Sequence, residues 1–204
     1  MEITTYVRRA FVRWAAAVAF VCALAAQTAD DRAIIRKLVA AAVERTTHSV
    51  RYDSKYVRIP YPGGDVPSDT GVCTDEIIRI YRAIGTDLQQ EVHEDMRTSF
   101  AAYPRRWPRR APDSNIDHRR VPNLMVFFAR KGSALPITTA ARDYLPGDIV
   151  TWDLGGGVDH IGMVVDRPGP SGQYMVVHNI GAGPKMEDVV PLEAHRPLPL
   201  LRTK

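Results

Sequence analysis

Three side chains have the types and the placement for covalent acyl chemistry: Cys73, His160 and His178. Cys73 lies in Thr70-Gly71-Val72-Cys73-Thr74-Asp75-Glu76-Ile77-Ile78, which reads as the start of a helix. A thiol attacks as its thiolate, and its pKa falls at a helix N-terminus and beside an imidazolium. The unpaired N–H groups of an opening turn and the helix dipole favour negative charge there. Asp69 or Thr70 is the expected cap, and a backbone N–H near Cys73 is placed to donate to an oxyanion.

His160 sits in the strand-like run Asp159-His160-Ile161-Gly162-Met163-Val164-Val165. Period-two alternation puts His160 and Gly162 on one face, with open space expected beside the imidazole. A neutral imidazole can take the thiol proton and return it to a leaving amine. It needs a partner on its other nitrogen to fix its tautomer. His178 closes the next run, Tyr174 to Asn179, and adjacent antiparallel strands would bring it to His160. Asn179 is the rival orienter but faces the opposite way in a regular strand. The bland alternatives are a buried structural thiol and histidines that only fill positions in a sheet. A zinc site from the same three residues lacks close paired spacing, and His93-Glu94-Asp95 is no helical zinc motif. Neither a metal nor a cofactor is expected.

The elements that must position these residues follow from the pattern. Ile34, Ile35, Leu38, Val39, Ala42 and Val43 recur at helical spacing within 30–47. Tyr52 to Pro62 reads extended, and Pro60, Pro62, Gly63, Gly64 and Pro67 make a turn-rich approach to Cys73. Ile77, Ile78, Tyr81 and Ile84 give the Cys73 helix an apolar face that Gly85 ends. Val92, Met96 and Phe100 predict another helix, closed by Pro104, and Leu124, Phe127 and Phe128 a short one stopping at Gly132. Residues 104–120, rich in Pro, Arg and Asp, read as a long surface loop, and loops of that length are usually functional or disordered. The last third is β-rich: 148–152, 161–165 and 174–177, separated by glycine-rich turns. The turn at Gly155-Gly156-Gly157 has no Lys-Ser/Thr after it and is not a phosphate loop. Helices first and antiparallel strands later imply an α+β fold.

Residues 1–25 stand apart. Arg8, Arg9 and Arg13 precede the apolar stretch Trp14 to Leu24, and Ala23-Leu24-Ala25 fits a small-x-small cleavage site. This is the pattern of a secretory signal peptide; an uncleaved anchor is the alternative. Cys22 follows Ala19-Phe20-Val21, a poor lipoprotein box. The expected organisation is a signal peptide at 1–25 and one cysteine-hydrolase domain at 26–204, periplasmic or secreted and monomeric, with no stable membrane insertion after cleavage. Exported proteins usually pair their thiols, so the single cysteine beyond the leader is a candidate reactive thiol. The formal charge of +4 falls to about +2 once the leader's three Arg and one Glu are removed. Arg residues bunch at 105–110 and 119–120, too small a basic surface for nucleic acid. Anionic wall polymers or acidic peptides are the better partners.

The order of helix-borne Cys, strand His and next-strand His resembles the NlpC-like branch of papain-fold cysteine peptidases. The likeness is carried by Tyr61-Pro62-Gly63-Gly64 before Gly71-Val72-Cys73, then Pro146-Gly147-Asp148, His160-Ile161-Gly162 and Val176-Val177-His178. A closer likeness, over about residues 30–195, is to a bacterial exported family defined only as a domain of unknown function. Its marks are Asp113 to Leu124 and His178-Asn179-Ile180-Gly181. The resemblance implies helices packed on an antiparallel sheet of about five to six strands. It also implies hydrolysis of amides in peptidoglycan stem peptides through Cys73, His160 and His178. It carries Tyr61 over as an oxyanion or substrate contact. Asp75, Asp117, His118, Arg119, Arg120 and Asn179 are further candidates for the cleft, the arginines because a planar fork can grip a carboxylate. A salt-bridge knot anchoring the loop is the structural alternative for Asp117 to Arg120. Thr74 and Asp75 stand where those enzymes usually carry Ser and Gly, and the insert between Cys73 and Pro146 is unusual. The other readings on the same residues are an acyltransferase or thioesterase, and a non-catalytic wall-binding module using the Arg-rich loop.

Overall fold

Apolar residues at helical spacing in the first half and β-branched runs in the second produce helices followed by strands. The computed structural model describes residues 29–108, 110–132, 138 and 140–189. The leader at 1–25, with Cys22, lies outside the described residues, as do Arg109 and the end of the family likeness beyond residue 189. The chain divides into two units, 1–34 and 35–204. Of the first, only the start of helix α1, residues 29–45, is described. No helix among the described residues is long and apolar enough to cross a membrane.

In the second unit, α1 contributes Leu38, Val39 and Ala42 to the core. A two-residue parallel pair, β1 (Arg51–Tyr52) with β2 (Thr70–Gly71), leads into α2 (Cys73–Ala83). After α2 the chain turns at Gly85, whose φ of +91° suits a residue without a Cβ. Helix α3 (Leu88–Ser99) starts at Asp87, whose side chain accepts a hydrogen bond from the Gln89 N–H. A short 3-10 turn, Phe100–Ala102, extends it. Helix α4 (Val121–Lys131) has Pro122 in its first turn and ends at Gly132. The long loop before it is not wholly irregular: Asp117–Arg119 form a 3-10 turn.

Strands β3 (Ile149–Asp153), β4 (Asp159–Pro168), β5 (Tyr174–Asn179) and β6 (Pro184–Glu187) form one antiparallel sheet in chain order. Among the described residues this sheet has four strands, not five or six. The parallel pair β1–β2 does not join it, because its two residues extend no ladder beyond each other. The expected extension from Tyr52 to Pro62 holds regular pairing only at its first residue. β6 was not foreseen. It is four residues long and carries only one buried side chain, too little for an alternation signal.

The core joins Ile77, Ile80 and Tyr81 of α2 and Leu124, Phe127 and Phe128 of α4 with Ile149, Ile161 and Met163 of the sheet. Burying each such side chain is worth about 1.5–3 kcal/mol. α2 also buries a polar face. Arg45 Nε meets Glu76 Oε2 at 2.7 Å. Arg79 reaches the Asp65 carboxylate at 3.0 Å and the Thr70 carbonyl at 2.9 Å. Paired charges of this kind hold the helix in one rotation, since misplacing any member strands a buried charge.

Candidate active site

Cys73 is the first residue of α2 and is 5% exposed. Neither Asp69 nor Thr70 caps the helix; Val72 occupies that position in extended conformation. The cap is supplied in reverse, as the Val72 N–H donates to Asp75 Oδ2 at 2.7 Å. Asp75 therefore serves the helix end. It also receives a forked contact from Arg119, Nε to Oδ1 at 2.7 Å and Nη2 to Oδ2 at 3.0 Å. Arg119 further donates to the Lys55 carbonyl at 3.1 Å, and Thr74 Oγ1 donates to the Arg119 carbonyl at 3.0 Å. Thr74 and Asp75 thus lash α2 to the 117–119 turn. Asp75, 1% exposed, engages both carboxylate oxygens with Arg119 and the Val72 N–H, whereas Arg119 also lines the Cys73 cleft.

Burial dominates the thiol. It pushes Cys73 up to about 12, against the backbone N–H groups of Ile161, Thr74 and Cys73 itself, which favour the thiolate. The helix terminus does not win here, and the resting sulfur is a protonated thiol. The Ile161 N–H at the sulfur also places Cys73 against β4 at the residue next to His160.

The two imidazoles meet. His160 pairs in register with Trp152 on β3, and Gly162 with His178 on β5. This diagonal brings His160 Nε2 to 2.9 Å from His178 Nδ1. On its far side, His178 Nε2 lies 2.9 Å from Glu187 Oε2, an ion-pair contact rather than a well-aligned hydrogen bond. The order of partners dictates the tautomers. A carboxylate accepts only, so Glu187 favours the His178 tautomer that is protonated on Nε2 and accepts at Nδ1. His160 then donates from Nε2, which leaves its Nδ1 lone pair as the free base. Trp152 walls both rings, edge-to-face, with centroids 4.6 Å from His160 and 5.5 Å from His178. Burial, then the neighbouring His178, hold His160 down at about 4, so it rests neutral. Burial also lowers His178, partly offset by Glu187.

Gly162 does not open a space. A Cβ there would sit 2.6 Å from Val176 Cγ1 and 2.9 Å from the Val177 carbonyl oxygen. Glycine lets β4 and β5 approach closely enough for the rings to meet.

A cleft of about 350 Å³ reaches Cys73, lined also by Tyr52, Trp107, Arg119, Arg120 and Asp159. Its tyrosine is Tyr52. Burial raises the Tyr52 hydroxyl, and the proximity of Cys73 and Asp75 adds to the rise, so it stays a proton donor. Tyr61 instead packs edge-to-face on His93 at 4.9 Å and does not line this cleft. The long loop crosses the cleft. Arg106 pairs with Asp159, and Trp107 lies under the Arg120 guanidinium at 3.9 Å.

The remaining candidates lie elsewhere. Asp117 accepts from the Asp113 N–H and sits 3.9 Å from Arg120 Nη1. His118 is buried and held neutral, pushed down to about 3 by burial and then by Arg119. Asn179 is fully buried, and its Oδ1 accepts from the Gly181 N–H at 3.1 Å, which shapes the β5–β6 turn rather than the His160 ring. Among the described residues no group of three or more His, Cys, Asp or Glu is arranged to hold a metal ion. Sequence reasoning missed Glu187, Trp152 and Tyr52. Only Glu187 left a trace: the Gly181–Gly183 turn after His178 allows a hairpin partner, and Glu187 is the acid that such a partner supplies.

The chain is 52% identical over 139 residues to "Uncharacterized protein YijF" of Escherichia coli (strain K12), covering 68% of each chain. No solved structure gives a significant match. Residues 39–197, which include the thiol, both imidazoles, Glu187 and the loop over the cleft, match the family described as Domain of unknown function (DUF1287), and the chain belongs to that family.

Proposed function

We propose that this protein is an exported cysteine hydrolase that cleaves amide bonds in peptidoglycan stem peptides, on a papain-like scaffold of the NlpC type. The observation that carries the reading is the ordered line His160 Nε2 to His178 Nδ1 to Glu187, with the Cys73 sulfur at the adjoining Ile161 N–H. Such a line leaves one basic nitrogen on His160, the residue beside the one whose N–H meets the sulfur.

The chemistry runs in two halves. His160 Nδ1 takes the thiol proton as sulfur attacks the amide carbonyl carbon, and the developing imidazolium is stabilised through His178 by Glu187. The N–H groups at the start of α2 and the Tyr52 hydroxyl are the candidate donors to the oxyanion. The C–N bond breaks as His160 returns its proton to the leaving amine, which leaves a thioester on Cys73. Water, deprotonated by His160, attacks the thioester and releases a carboxylic acid and the thiol. Because thiol and imidazole both rest neutral, the proton passes from sulfur to His160 in concert with attack on the carbonyl, and no standing thiolate is required.

The test is mass analysis of purified peptidoglycan fragments after incubation with the full chain and with Cys73→Ala. New amine and carboxylate termini are expected with the wild type alone. Equal cleavage by the folded variant rejects the mechanism. Acyl esters run in parallel separate an amidase from a thioesterase on the same residues.

A further inference from the structure

A second and larger cleft, about 870 Å³, adjoins the Cys73 cleft at Trp107 and Arg120. Its walls include Phe100, Tyr103, Trp107, Arg105, Arg110 and Asn123. Trp107 and Arg120 line both clefts. The stacked pair of those two side chains, 3.9 Å apart, is therefore a shared partition, and one ligand can rest on both sides of it.

The lining specifies what fits. Arg105 and Arg110 are exposed at the rim and make no ion pair among the described residues. Two free guanidinium groups beside aromatic rings suit a carboxylate carried on a partly apolar body. Deeper in, Asn123 is 1% exposed. Its Nδ2 donates to the Asp117 carbonyl at 3.0 Å, which fixes Oδ1 as the acceptor end. That Oδ1 has no hydrogen-bond partner among the described residues. A buried acceptor left unpaired costs about 1–3 kcal/mol, so a ligand bearing an N–H complements it. A carboxylate and an amide N–H in one molecule describe an acidic peptide. The Asp117 carboxylate adds no open negative site, being bound to the Asp113 N–H and close to Arg120.

We infer that this cleft is a subsite for a carboxylate-bearing peptide segment of the molecule whose amide reaches Cys73. The inference rests on the hydrolase reading for the identity of that molecule, but it makes a separate claim about binding. Arg105 and Arg110 hold the acid, Asn123 accepts a peptide N–H, and the Trp107–Arg120 partition sets the spacing between acid and scissile amide.

The experiment measures binding calorimetrically with full-length Cys73→Ala, so that no turnover intervenes. The probes are soluble stem peptides from enzymatically digested wall, used as isolated and after carbodiimide amidation of their carboxylates. The second protein carries R105Q and R110Q as well; both positions are exposed, and folding is verified by circular dichroism. Native peptides are expected to bind the parent about tenfold more tightly than amidated ones, a difference that shrinks toward unity in the double variant. Equal affinity of native and amidated peptides, an undiminished difference in the double variant, or no binding of native peptides overturns the subsite. Wild-type cleavage of the same peptides is scored separately. Cleavage without carboxylate dependence removes the subsite and leaves the hydrolase; carboxylate-dependent binding without cleavage does the reverse.

Discussion

Glu187 Oε2 stands 2.9 Å from Nε2 of His178, on the side of that ring away from His160. Through His178, this contact favours the tautomer of His160 in which Nδ1 is basic. Glu187→Gln keeps the shape and removes the charge. Activity on muropeptides is expected to fall at least about tenfold, with the loss in kcat. Nitrogen NMR of His178 should report a mixture of tautomers. Unchanged tautomer and rate would mean that Glu187 is a bystander.

The thiol of Cys73 is predicted to be slow toward alkylating agents. Its pKa is pushed up to about 12 by burial, so little thiolate exists near neutral pH. Iodoacetamide should modify the native chain far more slowly than the urea-unfolded chain, as read by mass shift. Native labelling at pH 6–7 that matches the unfolded rate would reveal a thiolate–imidazolium pair instead.

Asp75 and Arg119 are both nearly fully buried and joined by a fork. Removing one partner strands the other. Arg119→Ala should cost about 3–5 kcal/mol in denaturant unfolding, and Arg119→Lys should recover only part, because an ammonium cannot span both oxygens. A loss under 1 kcal/mol for Arg119→Ala would refute the strut.

Gly162→Ala introduces a methyl 2.6 Å from Val176 Cγ1. Overpacking of this kind costs about 1–3 kcal/mol. Because His178 lies directly across the ladder, activity should fall further than stability alone explains. A variant with wild-type stability would show that β4 and β5 separate easily.

His160 is held at about 4 in the folded chain, below its ordinary value of about 6.5. The unfolded chain therefore binds more protons between those limits. The stability that this histidine contributes is complete above about pH 6.5 and drains as the pH falls toward 4. His118, pushed down to about 3, acts in the same direction. Denaturant titrations at pH 7, 5.5 and 4 should show this slope, and His160→Gln should flatten part of it.

The histidine pair was legible because period-two alternation fixes which residues share a face, and His160 and His178 end up diagonal across one ladder. The helix at Cys73 was legible from its apolar spacing. The sulfur's acidity was not, because depth of burial depends on how the 53–55 and 117–119 segments close over α2, contacts 44 to 66 residues apart. Glu187 was hidden by the shortness of its strand. Tyr61 is a candidate only through the resemblance to NlpC-like enzymes, whereas Tyr52 lines the Cys73 cleft because β1 pairs with β2 just ahead of α2. Arg119 was a candidate ligand for a carboxylate, and it does grip one, but the carboxylate is the chain's own Asp75.

Arg105, Arg106 and Trp107 belong to the loop between α3 and α4, while both histidines belong to consecutive strands at the other end of the chain. The Arg106–Asp159 and Trp107–Arg120 contacts join the loop to residues that line the cleft. The cleft's cover and the paired imidazoles are thus encoded on separate stretches of polypeptide. The loop can therefore be replaced as one contiguous segment without touching the strands that carry the two imidazoles.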